Sequence, residues 1–172
     1  KNAMADLPLG GGKAVIWGNS KTGKTPEMFR ALGRAIESLN GKYWSAEDVG
    51  VSVTDMAYAA EETKYVAGLS TGKAASGDPS PVTAKGVFLG IKACAQRAFG
   101  ADDLNGKHVA VQGVGHVGGY VCKHLAEAGA KLTIADVNQD TLDSVAKATG
   151  AKIVAPEEIY DVAADVFSPN AL

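Results

Sequence analysis

The sequence predicts an α/β fold, in which part of one α/β domain is followed by the first half of a doubly wound parallel sheet. Three observations support this prediction. Short apolar runs typical of strands alternate with helical patterns along the 172 residues. A strand, a glycine-rich loop, a helix and a second strand follow one another between residues 108 and 138. The composition shifts to Gly, Ser, Thr and Pro between Gly68 and Pro81, as in a linker. We therefore expect two domains, residues 1–80 and 81–172.

The first half of the chain begins with a predicted short strand, Lys13 to Trp17, after three glycines. A helix follows, with Thr25 as its N-cap and Pro26 at its first position, and Asn40-Gly41 ends it. Its apolar stripe is Met28, Phe29, Leu32, Ile36 and Leu39. The next predicted elements are a strand at Lys42 to Ser45, a helix capped by Thr54 and reaching Glu62, and a helix at Val82 to Phe99. After the second strand of the glycine-loop unit come a helix at Thr141 to Thr149, a strand at Lys152 to Val154, a helix at Pro156 to Tyr160 and a strand at Val162 to Phe167.

The glycine-rich loop has the spacing G-x-G-x-x-G, formed by Gly113, Gly115 and Gly118, and Asp136 follows about 20 positions later. In a Rossmann-type βαβ unit the first glycine permits a tight turn. The second lets the backbone approach a pyrophosphate, and the third lets the helix pack on the strand. Asp136 would bind the ribose hydroxyls and repel a 2′-phosphate, so the pattern favours NAD over NADP. The neighbouring loop residues are also expected to contact the cofactor: Val114, His116 and Val117. The alternative is a glycine-rich turn in another kind of α/β protein.

Composition and charge exclude several classes of function. The net charge is −2 and no run of like charges is present, which argues against binding to nucleic acid or to a membrane surface. The two cysteines, Cys94 and Cys122, lie in apolar helical patterns and are expected to be buried, reduced thiols of a cytoplasmic protein. No histidine has a cysteine or carboxylate at ligand spacing, so no metal site is predicted.

Lys13 is the first candidate for chemistry, because it directly follows Gly10-Gly11-Gly12. The glycines permit unusual backbone conformations and the close approach of a ligand. A lysine that is partly desolvated and near another ammonium, here Lys1, has a lowered pKa and can act as a base. The alternative is that both lysines are surface residues beside a flexible loop.

Several segments resemble the Glu/Leu/Phe/Val family of amino-acid dehydrogenases over essentially the whole chain: KNAMADLPLGGGKAVI, SAEDVGVSVTDM, ETKYVAGL, SGDPSPVTAKGV and LNGKHVAVQGVGHVG. The resemblance implies that Lys1 binds the substrate α-carboxylate, that Lys13 is the catalytic base and that Asp48 handles the amino group. From its position alone, Asp48 could instead be a turn or capping carboxylate.

The same resemblance assigns three further contacts. Ala46 would line the pocket for the substrate side chain, Thr83 would contact the nicotinamide end and Ala171 would touch the cofactor after the last strand. Thr83 could equally be a plain helix-start residue. Asn170 stands where leucine-like members of the family often have Cys, so this turn departs from the family pattern.

A competing motif is present at Gly18 to Thr25, which matches G-x-x-x-x-G-K-[ST] after a predicted strand and before a helix. Such a match is typical of a phosphate-binding P-loop. However, Pro26 indicates that the helix begins after Thr25, whereas in a P-loop the Gly-Lys-Thr already turns into the helix. We therefore expect a surface turn here.

The sequence and the resemblance thus predict an NAD-dependent enzyme that interconverts a branched-chain or otherwise apolar L-amino acid with a 2-oxo acid and ammonia. Residues 1–80 would belong to its catalytic, substrate-binding domain, and residues 81–172 would form the first half of its NAD-binding domain. The chain is expected to be an internal piece of a homo-oligomeric enzyme and to be inactive by itself. Other NAD-dependent oxidoreductases and a non-catalytic dinucleotide sensor remain as alternatives.

Overall fold

A computed structural model describes residues 2–72 and 75–171. This part of the chain divides into two compact units, Lys1–Asp78 and Pro79–Leu172. No helix within the described ranges is long and apolar enough to cross a membrane. Nor does any group of three His, Cys, Asp or Glu side chains in these ranges have an arrangement that could hold a metal ion.

Two helices organise the first unit, α1 (Pro26–Ser38) and α2 (Val53–Ala60). Thr25 caps α1 as predicted, its hydroxyl accepting the backbone N–H of Met28 at 3.2 Å. The helices approach closely at Gly33, where an added Cβ would overlap the carbonyl oxygen of Ala59. The buried residues of this core are Phe29, Met56, Ala59 and Val66.

The structure corrects three predictions in the first unit. Residues 13–17 form no strand, because no neighbouring strand pairs with them among the described residues, and Trp17 is 99% exposed. The strand predicted for Lys42 to Ser45 is reduced to one parallel bridge between Ser45 and Val66. Ser52, not Thr54, caps α2, since Ser52 and Asp55 exchange the reciprocal hydrogen bonds of a capping box.

The second unit is a Rossmann-type α/β layer, which confirms the predicted fold class. Within the described residues, four parallel strands lie in the order β3-β2-β1-β4, as in the first half of a doubly wound sheet. The elements are α3 (Ser80–Phe99), β1 (His108–Gln112), α4 (His116–Glu127), β2 (Lys131–Ala135), α5 (Gln139–Thr149), β3 (Lys152–Ile153) and β4 (Val166–Pro169).

Alternate residues of β1 enter different cores because the strand is covered on both faces. Val109 and Val111 pack with helices α3, α4 and α5, whereas Ala110 packs with Ile159 on the other side. Burial on both faces explains the continuous apolar character of this strand.

Three predictions in the second unit are wrong in detail. Cys94, expected to be buried like Cys122, is exposed. The helix expected at Pro156 to Tyr160 is a single 3₁₀ turn, Glu158–Asp161. Just before this turn, the Glu158 carboxylate accepts the backbone N–H of Ala155 at 3.1 Å. The last strand begins at Val166 rather than Val162, because it pairs with β1 only from that register onward.

Candidate active site

A cavity of about 670 Å³ lies in the first unit. It is lined by the chain around Lys13, by the turn at residues 46–50 and by one side of α1. Lys13, Ala46 and Asp48 therefore line the same cavity, although they come from two separate segments of the sequence. Lys1, the fourth residue that the sequence associates with the substrate, lies outside the described residues.

Lys13 and Asp48 form an ion pair in this cavity, with Lys13 Nζ donating to Asp48 Oδ2 at 2.5 Å. The other carboxylate oxygen, Oδ1, accepts the backbone N–H of Val49 at 2.9 Å, which orients the carboxylate. The two side chains are 80% and 62% exposed, and such an open pair adds little to folding stability. Its significance is chemical, because a proton donor and a proton acceptor are joined by one hydrogen bond.

The charge state of Lys13 differs from the sequence-based expectation of a lowered pKa. The hydrogen bond to Asp48, and next the charge of that carboxylate, raise the pKa of Lys13 above its ordinary value. The predicted desolvation is slight, since the side chain is open to solvent. In this arrangement Lys13 is an ammonium and Asp48 is the proton acceptor, so Lys13 becomes a base only after its proton has moved.

The three glycines before Lys13 do not act through unusual backbone angles, because none of Gly10, Gly11 and Gly12 has φ in the left-handed region. A Cβ added at Gly10 or Gly11 would enter open space. At Gly12 it would lie 3.3 Å from Cε2 of Tyr43. The third glycine thus allows an aromatic ring of the cavity wall to pack directly on the backbone beside Lys13.

The turn that carries Asp48 is held at both ends. Before it, the backbone of buried Ser45 donates to Tyr65 O at 3.0 Å and accepts from Ala67 N at 2.8 Å. After it, Gly50 has φ +77°, and an added Cβ there would lie 2.9 Å from Cβ of Ser20. Glycine is therefore required at this position both by its backbone angle and by the packing of Ser20.

The backbone amides of the P-loop-like segment are used within its own turn. Thr22 and Gly23 donate their N–H groups to the carbonyl oxygen of Asn19 at 3.3 and 2.8 Å. The N–H of Lys21 donates to Oδ1 of the same Asn19 at 2.8 Å. In a P-loop such amides point at phosphate oxygens, so this geometry disfavours nucleoside triphosphate binding.

The lysine of the same motif has a structural partner. Lys24 Nζ donates to Asp55 Oδ2 at 2.5 Å, and that carboxylate also accepts from the N–H and hydroxyl of Ser52. Burial acts to raise the pKa of Asp55, but the hydrogen bonds from Lys24 and Ser52 outweigh it and hold the pKa below its usual value. Lys24 thus ties the turn at residues 18–25 to the start of α2.

The glycine loop of the second unit has the geometry that its spacing predicts. Gly113 has φ +82°, and a Cβ there would lie 2.8 Å from the backbone nitrogen of Ala171. A Cβ at Gly118 would overlap the carbonyl oxygen of Gly113. Gly113 and Ala171 follow neighbouring parallel strands, so the structure brings Ala171 to the loop as expected.

The start of α4 suits the pyrophosphate of a dinucleotide. Gly115 is the N-cap residue, it provides no side-chain hydrogen bond to the helix, and the space above it is open. The first backbone N–H groups of α4, at His116 and Val117, therefore begin a helix whose positive end no side chain caps. His116 is exposed and Val117 is half-buried, which leaves this backbone within reach of an anion.

Asp136 lies beside the same loop, immediately after β2. Its Oδ2 accepts the backbone N–H of Val114 at 2.8 Å and its Oδ1 accepts the N–H of Asn138 at 2.9 Å. Thr83 lies in the first turn of α3 and is exposed, and no hydrogen bond joins it to the glycine loop among the described residues. Its contact with a cofactor remains a prediction.

A parallel sheet with an uncapped helix start at its glycine loop is typical of dinucleotide-dependent dehydrogenases. In this chain a separate unit also holds a lysine–aspartate pair. Two family models match this chain. Residues 1–65 match the Glu/Leu/Phe/Val dehydrogenase dimerisation domain, and residues 76–144 match the glutamate/leucine/phenylalanine/valine dehydrogenase domain. The chain belongs to the Glu/Leu/Phe/Val dehydrogenase family.

Individual relatives agree with this assignment. The chain is 55% identical to leucine dehydrogenase of Thermoactinomyces intermedius over all 172 residues, which are 47% of that enzyme. It is 44% identical to L-tryptophan dehydrogenase of Nostoc punctiforme, again over the whole chain and 48% of the relative. The chain thus spans about half the length of the curated relatives it matches.

Solved structures show the same fold. The crystal structure of the Nostoc punctiforme L-tryptophan dehydrogenase aligns with a TM-score of 0.71 and 41% identity, covering 99% of this chain and 48% of that one. The hetero-hexameric glutamate dehydrogenase of Thermus thermophilus aligns with a TM-score of 0.68 and 26% identity, covering 99% of this chain and 47% of that one.

Sequence reasoning missed three side chains that shape the cavity: Tyr43, Ser20 and Lys24. Tyr43 had a usable signal, since an aromatic residue just before a predicted substrate turn is a natural packing partner for a glycine. The contact of Ser20 with Gly50 depends on how two turns meet in space, and no local pattern in the sequence reveals it.

Proposed function

We propose that an enzyme carrying this chain catalyses the reversible oxidative deamination of an apolar L-amino acid to a 2-oxo acid and ammonia, with NAD as the cofactor. The observation that carries the proposal is the Lys13–Asp48 pair, held with Ala46 in one cavity of a chain from an amino-acid dehydrogenase family. Because the chain spans about half the length of its relatives, the activity belongs to an enzyme that contains it.

The acid–base roles follow from the ion pair. In the direction of deamination, Asp48 accepts a proton from the substrate ammonium and keeps the amine close to the reacting carbon. Lys13, which is 80% exposed and can release its own proton to solvent, then deprotonates the water that attacks the imine carbon and returns that proton to the departing ammonia. Because the pKa of Lys13 is raised, the lysine is charged before the substrate binds and must lose that proton to solvent before it acts as a base. Lys1 would bind the α-carboxylate.

The second unit would hold the cofactor. The backbone of residues 113–118 would face the pyrophosphate, and Asp136 would accept hydrogen bonds from the ribose hydroxyls. Thr83 would contact the nicotinamide end, and Ala171 would touch the cofactor after the last strand. When bound, NAD accepts the hydride from the substrate carbon and NADH returns it in the reverse reaction. The carboxylate of Asp136 would repel a 2′-phosphate, which supports NAD over NADP.

Several observations support an apolar, branched-chain substrate. The relatives at 51–55% identity are named leucine dehydrogenases, whereas those named for tryptophan and phenylalanine are 41–44% identical. Ala46, which the family resemblance places at the side-chain pocket, offers a methyl group and no polar atom. A small apolar wall accepts an aliphatic side chain but discriminates only modestly among such side chains.

Assembly and location are also part of the proposal. The first family model is described as a dimerisation domain, which supports a homo-oligomer. Both cysteines are free in the structure, which is consistent with a reducing, cytoplasmic environment.

The proposal is tested by following NADH formation with purified enzyme and L-leucine, L-valine, L-isoleucine, L-phenylalanine or L-glutamate as substrate. We expect turnover with the branched-chain amino acids and much less with L-glutamate. NADPH formation and the effect of ATP serve as matched controls. NADH binding without turnover of any amino acid would instead identify a dinucleotide sensor.

A further inference from the structure

Tyr43 occupies a position that links the glycine triplet to the Lys13–Asp48 ion pair. Its aromatic ring packs on Gly12, and it lines the cavity that contains Lys13 and Asp48. It lies two positions before Ser45, whose backbone is fixed by hydrogen bonds to Tyr65 and Ala67. The ring is therefore presented to the Lys13 segment from an anchored part of the chain.

The segment that carries Lys13 has little other support. Residues 10–17 belong to no helix or strand. Asn2 Nδ2 donates to the Gly10 carbonyl at 3.2 Å, and the solvent-exposed bond from Lys13 to Asp48 acts only at the end of a flexible side chain. A flexible lysine bound through its tip does not define where its own backbone lies. The contact of the Tyr43 ring with Gly12 acts on that backbone directly.

The ring, rather than the hydroxyl, is the important part of Tyr43. The largest influence on the pKa of Lys13 is its hydrogen bond to Asp48, and the charge interaction with the Tyr43 hydroxyl is the smallest. Among the described residues, Gly12 is also the one glycine of the three at which an added Cβ would meet a side chain, the ring of Tyr43. A Cβ at Gly10 or Gly11 would meet no atom within 4 Å.

We infer that Tyr43 is a positioning residue for Lys13: its ring, packed on Gly12, sets the lysine backbone so that the ammonium reaches Asp48. The inference rests on the proposed function and extends it, because Tyr43 acts through Lys13 rather than on the substrate. It also explains why the residue immediately before Lys13 is a glycine.

The first test compares Tyr43→Phe with Tyr43→Ala in an enzyme carrying the whole chain. We expect Tyr43→Phe to keep most of kcat, because it keeps the ring. Tyr43→Ala should lower kcat by about 10- to 100-fold, the effect of a misplaced catalytic group, while the dissociation constant for NADH changes less than about twofold. Thermal unfolding of each variant separates lost positioning from lost folding.

The second test approaches the same contact from the other side. Gly12→Ala places a methyl group against the ring and should lower kcat by about tenfold, a misplacement smaller than loss of the ring. Gly11→Ala is the matched control, since its methyl group enters open space. In the Tyr43→Ala background, Gly12→Ala should have little further effect, so that the double-mutant cycle shows strong coupling.

The outcomes separate this inference from the function on which it rests. An active wild-type enzyme whose Tyr43→Ala variant keeps kcat within about threefold, a barrier change below 1 kcal/mol, overturns the inference alone. Equal effects of Gly12→Ala and Gly11→Ala, or additive effects in the cycle, also overturn it. A wild-type enzyme with no amino-acid-dependent NADH formation overturns the proposed function and this inference together.

Discussion

Asp136 accepts a hydrogen bond from the backbone N–H of Val114 at 2.8 Å, so the acidic residue after β2 is attached to the glycine loop itself. A second hydrogen bond, from the N–H of Asn138, fixes its other oxygen. The carboxylate assigned to cofactor choice is therefore also part of the structure that shapes the phosphate site. Substitutions of Asp136 are therefore expected to change both the cofactor preference and the conformation of the glycine loop. The choice of the new side chain can separate these two effects.

Asp136→Asn should narrow the preference for NAD over NADP without disordering the loop. The wild-type enzyme is expected to favour NAD in kcat/KM by more than about tenfold, because a carboxylate facing a 2′-phosphate is a like-charge contact. The amide removes that charge and still offers its oxygen to the N–H of Val114, while its NH2 group no longer accepts from the N–H of Asn138. Asp136→Ala removes both the charge and the acceptor, so it should weaken the binding of both cofactors. Equal use of NAD and NADP by the wild-type enzyme would contradict this account.

The ion pair between Lys24 and Asp55 predicts an acid-sensitive first unit. The folded-state pKa of Asp55 lies below its usual value, so its contribution to stability is present above that usual value, about 3.9. It is lost as the pH falls through the lower, folded-state pKa. Asp55→Ala should lower the free energy of unfolding at neutral pH by about 1–3 kcal/mol, since it removes the carboxylate half of the α2 capping box and leaves Lys24 without its Asp55 partner.

Denaturant unfolding of Asp55→Ala and of the wild type, at neutral pH and below about pH 4, tests this prediction. The difference between the two proteins should shrink in acid. Glu61→Gln is the matched control, because its ion pair with Arg30 is more exposed. A difference that stays constant with pH would show that Asp55 is not an ionised partner of Lys24.

Two glycines of the second unit should respond in opposite ways to substitution by alanine, one substitution lowering the stability of the unit and the other raising it. Gly118→Ala would push a methyl group into the carbonyl of Gly113, and overpacking of this kind costs about 1–3 kcal/mol. It should also weaken NADH binding, because it moves the phosphate loop. Gly90→Ala, within α3 and in open space, should stabilise the unit by about 0.5–1 kcal/mol. Thermal unfolding would show whether the two substitutions change the stability in opposite directions, and NADH titration would show whether only Gly118→Ala weakens NADH binding.

The two cysteines should differ strongly in reactivity. Cys94 is exposed, whereas Cys122 is buried in the core of α4 and burial raises the pKa of its thiol to about 12. The thiolate is the reactive form, so a thiol reagent at neutral pH should modify one cysteine per chain rapidly. Cys94→Ser should abolish that rapid phase, and Cys122 should react only after denaturant is added. A rapid phase that survives Cys94→Ser would show that Cys122 is accessible.

Local signals in the sequence were sufficient for the second unit. The strand–loop–helix pattern, the structural roles of Gly113 and Gly118 and the position of Asp136 depend on spacing within about 30 residues, the size of a βαβ unit, and the structure reproduces that pattern. The N-cap of α1 at Thr25 was equally local. Elements of this kind follow from hydrophobic period, capping and backbone angle alone.

The features that the sequence did not predict depend on contacts between segments that are distant in the sequence. The apolar residues 13–17 have a strand-like pattern, but a strand exists only beside a hydrogen-bonded neighbour, and the described residues provide none. The pKa of Lys13 was predicted to fall, yet the carboxylate of Asp48, 35 positions away in sequence, accepts a hydrogen bond from the lysine ammonium and raises its pKa. Tyr43 and Ser20 were missed because each acts across space on a glycine of another segment.

The most direct measurement of the central claim is steady-state kinetics of Lys13→Ala in an enzyme carrying the whole chain, with NADH binding measured separately. If Lys13 and Asp48 are the acid–base residues of an amino-acid dehydrogenase, kcat should fall by about 10²–10⁴-fold, the usual contribution of general acid–base catalysis. NADH affinity should change little, because the residues assigned to the cofactor lie in the other unit. A Lys13→Ala enzyme that keeps more than about a tenth of the wild-type kcat, a loss below 1.4 kcal/mol, would contradict the account and leave Lys13 as a surface lysine.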